Sequence, residues 1–336
     1  MSTPAQPDRG SKAIGFVGCS TQVAPLGVGT WSWGDSETWG MGSYDSSLTE
    51  ATIEQAWDAS LSCGVTLFDT AEIYGKGESE RIIGRLLALD PDRKSSVLIA
   101  TKFLPLPQKP RLRNAMRSAV LGSLERLGLE CIDLYQIHGP ISLRTHAAMA
   151  EALARIHEEG LIRAVGVSNY SIREMSSIQA ALAARGLSLA SNQIEFSPLR
   201  RMPETTGLLQ ACRDLAVIPL AYSPLGQGRL SGKYSAAKPP PGKRNFSSHP
   251  MEQIDVIVNK LRSIGLAHDG RTPSQVALQW IISKGAVPIP GAKNAEQAAE
   301  NAGSIGWHLS SEDITAIDAI ALSGQRSLQH RIWQHG

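Results

Sequence analysis

Apolar stretches of β type recur along the chain, and amphipathic stretches of helical period lie between them. Candidate strands end near Thr30, Asp69, Lys102, His138, Ser168, Gln193, Tyr222 and Pro290. Strands alternating with helices predict a parallel sheet, because parallel neighbours need crossover connections. Eight such units over 336 residues favour a closed (β/α)8 TIM barrel over an open sheet. The helices carry their own punctuation. Ser47 and Glu50 form a capping-box pattern ahead of Ile53, Trp57 and Leu61, and Gly64 is placed to end that helix. Ser171 and Glu174 repeat the box ahead of Met175, Ile178 and Leu182. Thr272 and Pro273 read as an N-cap and a first helical residue. Trp57 and Trp280, single aromatics on amphipathic helices, are expected in the core.

One connection breaks the rhythm. From Leu225 to about Met251 the chain is rich in Gly, Pro, Ser and Lys. Irregular loops of that length act as lids, binding loops or disordered insertions. This one follows the seventh strand, on the face where barrel sites form. Beyond residue 310 an extra amphipathic helix carries Ile314, Ile317 and Ile320.

Composition narrows the classes. With 42% hydrophobic and 19% charged residues, one large core is affordable, and a single domain over 1–336 is expected, with a flexible segment at 1–12. The net charge of +2 gives no field that would draw nucleic acid or an anionic membrane. Arg111, Arg113 and Arg117 read as a solvated helix face. Cysteines 19, 63, 131 and 212 are far apart and form no C-x-x-C, which suits a reducing compartment. Cys63 and Cys131 sit in apolar-periodic segments and are expected to be buried. No apolar run is long enough to span a bilayer, and the N-terminus lacks the apolar core of a secretory signal. A cytoplasmic location is expected, with a plastid as the alternative if a transit peptide has been removed. A monomer is the default for such a barrel.

The chemistry gathers at strand ends. Asp69, Lys102 and His138 close three consecutive strands, and Tyr74 follows in the loop Thr-Ala-Glu-Ile-Tyr-Gly. Side chains at C-terminal strand ends of a barrel converge on one mouth. A single such Asp or Lys is usually just solvated; three in succession point to a site. A free phenol has a pKa of about 10, and the Lys102 ammonium is expected to lower that of Tyr74. Asp69 would anchor Lys102, His138 would orient a substrate oxygen, and Tyr74 would protonate it as charge develops.

A partner must then supply electrons. Lys293, in Ile289-Pro-Gly-Ala-Lys293, stands just before a predicted helix, where backbone N–H groups favour a phosphate. Gln297, Glu300 and Asn301 share one face of that helix. The same pattern also describes an ordinary solvated helix. Gly226-Gln-Gly-Arg-Leu-Ser-Gly232 misses the Rossmann spacing by one residue. In Gly166-Val-Ser168, Tyr170 replaces the second Gly of a nucleophile elbow, so Ser168 reads as a hydrogen-bonding group. His146 and His157 lack metal-ligand spacing, and no metal is expected.

Taken together, these motifs resemble the aldo-keto reductase family over nearly the whole chain. Gly-Val-Thr-Leu-Phe-Asp69-Thr-Ala-Glu-Ile-Tyr74-Gly is similar to the family's first signature. Ala100-Thr-Lys102, Tyr135-Gln-Ile-His138, Gly166-Val-Ser168-Asn169, Asn192-Gln193, Tyr222-Ser-Pro-Leu225 and Ile289-Pro-Gly-Ala-Lys293 supply the rest. The resemblance implies a barrel that uses NADP(H) without a Rossmann domain, with Asp69, Tyr74, Lys102 and His138 as catalytic tetrad. It implies that Ser168, Asn169 and Gln193 hold the nicotinamide carboxamide and that Tyr222 stacks on the ring. Ser223, Pro224 and the stretch from Leu225 to Lys233, with Gly226 and Gly228, would line the pyrophosphate. Gly291, Lys293, Gln297, Glu300 and Asn301 would take the adenosine end, and a cation at Lys293 favours NADP over NAD. Asp69 would also touch cofactor, as would Thr30 and Trp31 at a position used in the channel-associated branch.

Gly29-Thr-Trp-Ser-Trp-Gly34 and the Tyr222 run resemble the plant, algal and bacterial reductases and the pyridoxal reductase-like members. The implied activity is reduction of aldehydes, extending to ketones, by hydride transfer from NADPH, with alcohol oxidation as the reverse. Pyridoxal is a candidate substrate. Substrate walls are expected from loops around 31–45, 103–112 and 225–250. Two other classes compete: an NADPH-binding regulatory subunit resembling potassium-channel β subunits, and a Schiff-base lyase with Lys102 as nucleophile.

Overall fold

Two short strands, β1 (Ile14–Gly15) and β2 (Gln22–Val23), pair antiparallel before the main sheet begins. Eight parallel strands follow: β3 (Gly27–Gly29), β4 (Leu67–Asp69), β5 (Leu98–Phe103), β6 (Ile132–Ile137), β7 (Ile162–Ser168), β8 (Leu189–Glu195), β9 (Ile218–Tyr222) and β10 (Val287–Pro288). Each pairs with its sequence neighbour. The Gly29 N–H donates to Pro290 O at 3.0 Å, which brings the last strand back to the first. The architecture is therefore the (β/α)8 barrel that the alternation predicts. These are features of a computed structural model that describes residues 13–34, 45, 47–106, 111–242, 246–247, 249–324 and 332–336. The segment 1–12 expected to be flexible lies outside the described residues, as does all of 35–44 within the first mouth loop.

The barrel is filled, not hollow. Leu67, Leu98, Ala100, Leu134, Ala164, Ala190, Leu220, Val287 and Ile289 form one buried cluster together with Phe16 from the β1–β2 turn. Cys19 on that turn donates to Asp133 O at the start of β6. The hairpin therefore closes the N-terminal end of the barrel and leaves the opposite end for chemistry. Two-residue strands fall below any periodic signal, so the sequence pattern does not predict this hairpin.

Most helix signals act where they were read. Ser171 and Glu174 make a reciprocal box at Ile172–Ala183, and Thr272 with Pro273 starts Pro273–Ser283. The first helix, Glu50–Ser62, departs from the expected cap. Its N-cap is Thr49, and the Thr52 hydroxyl replaces the carboxylate, accepting from the Thr49 N–H at 2.9 Å. Ser47 is instead bound to Asp45, and Glu50 falls at the first helical position, too early to reach back. Trp57 packs against Phe68 and Trp280 against Phe196, both in the core as predicted. Cys63 and Cys131 are only half-buried, because one caps a helix end and the other precedes a strand; Cys212 is the buried one. Arg113 and Arg117 make exposed ion pairs with Glu151 and Glu159. Among the described residues no helix is long and apolar enough to cross a membrane.

Candidate active site

Asp69 ends β4, Lys102 lies inside β5 and His138 follows β6, so adjacent parallel strands deliver all three to the same rim. Lys102 is fully buried, and its ammonium meets three acceptors: Asp69 Oδ2 at 2.5 Å, Thr70 O at 2.7 Å and Tyr74 OH at 3.3 Å. An ammonium has three hydrogens, so its donor capacity is used up. The second carboxylate oxygen, Asp69 Oδ1, accepts from Gln136 Nε2 at 3.0 Å and Gln193 Nε2 at 2.8 Å. A buried charge held this way is paired and hydrogen-bonded on every side.

Tyr74 opens a short turn, Tyr74–Gly77, whose geometry depends on Gly75. Gly75 has φ +57°, and a Cβ there would overlap the Gly34 carbonyl oxygen. The turn is thereby pressed against the end of the first barrel loop, and the phenol is set beside Lys102. The His138 ring stands edge-on to Tyr74, with centroids 5.7 Å apart. Both rings line one cavity.

The charge states differ from the expectation in one respect. Burial pushes the Tyr74 phenol up, Lys102 pulls it down, and Asp69 pushes it up again; the net direction is upward. The expectation of an unusually acidic phenol is therefore corrected. Lys102's attraction is largely spent on the carboxylate it is bound to, and desolvation wins. Burial alone would lower the Lys102 ammonium, but Asp69 and Tyr74 outweigh it and hold it above its usual range. His138 is pushed well below its usual value by burial and then by Lys102, so its imidazole is neutral at pH 7. Its Nδ1 is buried with no hydrogen-bond partner among the described residues.

The cavity measures about 1460 Å³. A drug-sized ligand needs roughly 300–1,000 Å³, so there is room for more than one small molecule. Tyr74 and His138 stand at one end beside an apolar wall of Trp31, Leu104, Ile141, Phe246 and Trp333. At the other end stand Gly291, Lys293, Gln297, Glu300 and Asn301, on and before the helix Ala295–Ala302. Asn294 caps that helix through the Gln297 N–H, and the Lys293 N–H donates to Gln297 Oε1 at 3.0 Å. Between the ends run Tyr222, Ser223, Pro224, Leu225, Gly228 and Lys233.

Ser168, Asn169 and Gln193 meet there as well. Ser168 Oγ and the Asn169 N–H both donate to Gln193 O, and Tyr222 OH donates to Asn169 Oδ1 at 3.0 Å. Asn169 has φ 63°, a left-handed conformation that Asn tolerates better than most residues. Two expected contacts do not reach the cavity. Thr30 is fully buried behind Asp69, its hydroxyl on Asp69 O and Ser79 Oγ. Gly226 stands against Leu199 and does not line the cavity.

Several groups at or behind the cavity wall escaped the sequence reading. Gln136 holds Asp69, and its position two residues before His138, which follows the same strand, was the available signal. Glu195, two residues after Gln193, is a buried carboxylate that gathers the mouth. It accepts from Ser247 Oγ at 2.5 Å and Gln334 Nε2 at 2.6 Å, with Arg200 nearby. Gln334 also donates to Tyr222 OH at 2.6 Å, and the His335 N–H donates to Asn169 O. Trp333 lies 5.6 Å from the His138 ring. Trp333 thus lines the cavity, and Gln334 and His335 anchor it from behind.

Comparison with known proteins agrees with this geometry. The sequence profile of the Aldo/keto reductase family matches residues 25–322. A chloroplastic pyridoxal reductase of Arabidopsis thaliana is 34% identical over 328 residues, covering 93% of this chain and 87% of its own. The solved glycerol dehydrogenase of Gluconobacter oxydans superposes with a TM-score of 0.79 at 27% identity, over 95% of this chain and 98% of that one. An aldo-keto reductase of Klebsiella pneumoniae, solved in complex with NADPH, gives 0.71 at 26% identity, over 94% and 97%. With nearly the full barrel inside the profile and its polar side chains converging on one rim, the chain belongs to the aldo/keto reductase family.

Proposed function

We propose that this chain is an NADPH-dependent reductase of aldehydes and ketones in which Tyr74 is the general acid. The observation that carries the reading is the ordered set Asp69–Lys102–Tyr74 opening, with His138, into a cavity large enough for a dinucleotide beside a small carbonyl. When bound, NADPH supplies a hydride to the carbonyl carbon. Tyr74 OH accepts a hydrogen bond from Lys102, which leaves its own proton available to the substrate oxygen. Neutral His138 has one ring N–H, and that donor orients the same oxygen. Burial that raises the Tyr74 pKa keeps the donor loaded at neutral pH. The oxygen it protonates is becoming an alkoxide, whose basicity approaches that of hydroxide, with a conjugate-acid pKa of about 15.7. Reduction uses the protonated phenol and alcohol oxidation the phenolate, so oxidation should gain relative to reduction as the pH rises.

Ser168, Asn169, Gln193 and Tyr222 are assigned to the nicotinamide end and Lys293, Gln297, Glu300 and Asn301 to the adenosine end. The Trp31, Phe246 and Trp333 wall suits a flat aromatic aldehyde, and pyridoxal is the first candidate, in keeping with the 34% identical pyridoxal reductase. A Schiff-base role for Lys102 is disfavoured, because the amine is buried, charged and fully bonded. The test is Tyr74→Phe. Reduction of pyridoxal and of nitrobenzaldehyde should fall about 10²–10⁴-fold, the usual worth of a general acid, while NADPH binding survives. Near-normal turnover would refute the role of Tyr74. Wild-type protein that binds NADPH but turns over no carbonyl would favour a regulatory subunit.

A further inference from the structure

The cation assigned to the adenosine end already has an anion on it. Lys293 Nζ lies 2.8 Å from Asp45 Oδ2, a residue 248 positions earlier in the chain, and both line the same cavity. Asp45 is held at this post. Its other oxygen, Oδ1, accepts from the Ser47 N–H at 3.1 Å and from Ser47 Oγ at 2.6 Å. One oxygen is thus tied to the start of the first helix, and the other is presented to Lys293. The pair holds the Asp45 carboxyl down at a pKa of about 2, so it is charged at any working pH. Glu296 and Glu300 line the same end. With Asp45 in place, the Lys293 charge is cancelled and two further carboxylates remain.

We propose that Asp45 is an internal competitor for the phosphate at Lys293, and so a determinant of how strongly the enzyme discriminates between NADPH and NADH. The proposal rests on the assignment of Lys293 to the extra phosphate. A 2′-phosphate can use the ammonium only by displacing Asp45, whereas a cofactor with a bare 2′-hydroxyl leaves the pair intact. Both partners are partly exposed, at 26% and 40%. Exposed pairs are worth about 0–1 kcal/mol, so the phosphate prevails, at a cost of up to about fivefold in affinity. The carboxylate therefore moderates a preference that Lys293 alone would make steeper.

The test is a fluorescence titration of NADPH and NADH against wild type, Asp45→Asn, Lys293→Ala and the double variant at low ionic strength. Asp45→Asn should tighten NADPH about two- to fivefold and leave NADH unchanged. The gain should shrink with added salt and vanish when Lys293 is already Ala. Asp45→Ala, which also drops the Ser47 contacts, should tighten NADPH in the same direction. If Lys293→Ala weakens NADPH selectively but neither Asp45 variant tightens it, or both cofactors tighten alike, the competitor proposal is overturned. If Lys293→Ala weakens both cofactors equally, the assignment of the adenosine end fails, and the proposal with it.

Discussion

Replacing Asp69 with Asn should destabilise the protein more than any surface change, and the reason is electrostatic. Lys102 has no exposed surface, and its ammonium leans on one carboxylate, one carbonyl and one phenol. Asp69→Asn keeps the shape and two of these acceptors but strips the counter-charge from a buried cation. Removing one member of a buried pair costs about 3–5 kcal/mol, because the survivor stays uncompensated. At about 2 °C per kcal/mol for a chain of this size, the midpoint of thermal unfolding should fall by roughly 6–10 °C. Asp69→Asn/Lys102→Met removes the orphaned charge as well and should melt above Asp69→Asn. The assay is a thermal scan of wild type, both single variants and the double at pH 7.5, repeated in high salt, which should change little because the pair is out of reach of counter-ions. Additive losses in the double variant would show that the charges are not coupled, and the account of the buried pair would fall.

Two further outcomes are expected. Gly75→Ala has no room for its methyl beside the Gly34 carbonyl and must move Tyr74, so kcat should drop about 100-fold, as an ångström of misplacement can cost, with NADPH affinity nearly kept; an unchanged kcat would show that the turn does not position the phenol. His138 is neutral in the fold and has a pKa of about 6.5 when unfolded, so the unfolded chain binds the extra proton below that pH and stability must fall as the solution is acidified. Between pH 6.5 and 5, wild type should lose up to about 1.4 kcal/mol per pH unit more than His138→Gln; parallel stability curves for the two would contradict a depressed His138.

How much of this was readable beforehand depended on distance along the chain. Strand ends near Asp69, Lys102, His138, Ser168, Gln193 and Tyr222 were legible to within two residues because each closes its own apolar run. The Ser171 and Thr272 caps were legible for the same reason, since a cap and its partner lie three residues apart. The cap at Thr49 was misplaced because the local pattern offered two hydroxyls and a glutamate, and only the folded turn, with Asp45 holding Ser47, chooses among them. Thr30 was expected at the cofactor only through the family resemblance, whereas its hydroxyl serves the backbone of Asp69. The Tyr74 pKa was misjudged because pairwise charges can be read from residue types while desolvation requires the packed surroundings. Asp45 on Lys293, and Gln334 on Glu195, are meetings between remote segments, and nothing local announces them.

The placement of Trp333 at the opening and of Gln334 behind it has a consequence for the order of events during synthesis. Gln334 reaches partners 139 and 112 positions upstream, after every barrel strand has already been made. At roughly 5–20 residues per second, a nascent chain spends some seconds with every barrel strand made and this side of its opening still unbuilt. Any ligand that depends on Trp333 or on the Gln334–Tyr222 bond is out of reach during that interval. Binding energy from such a ligand is therefore available only once residue 334 has been made.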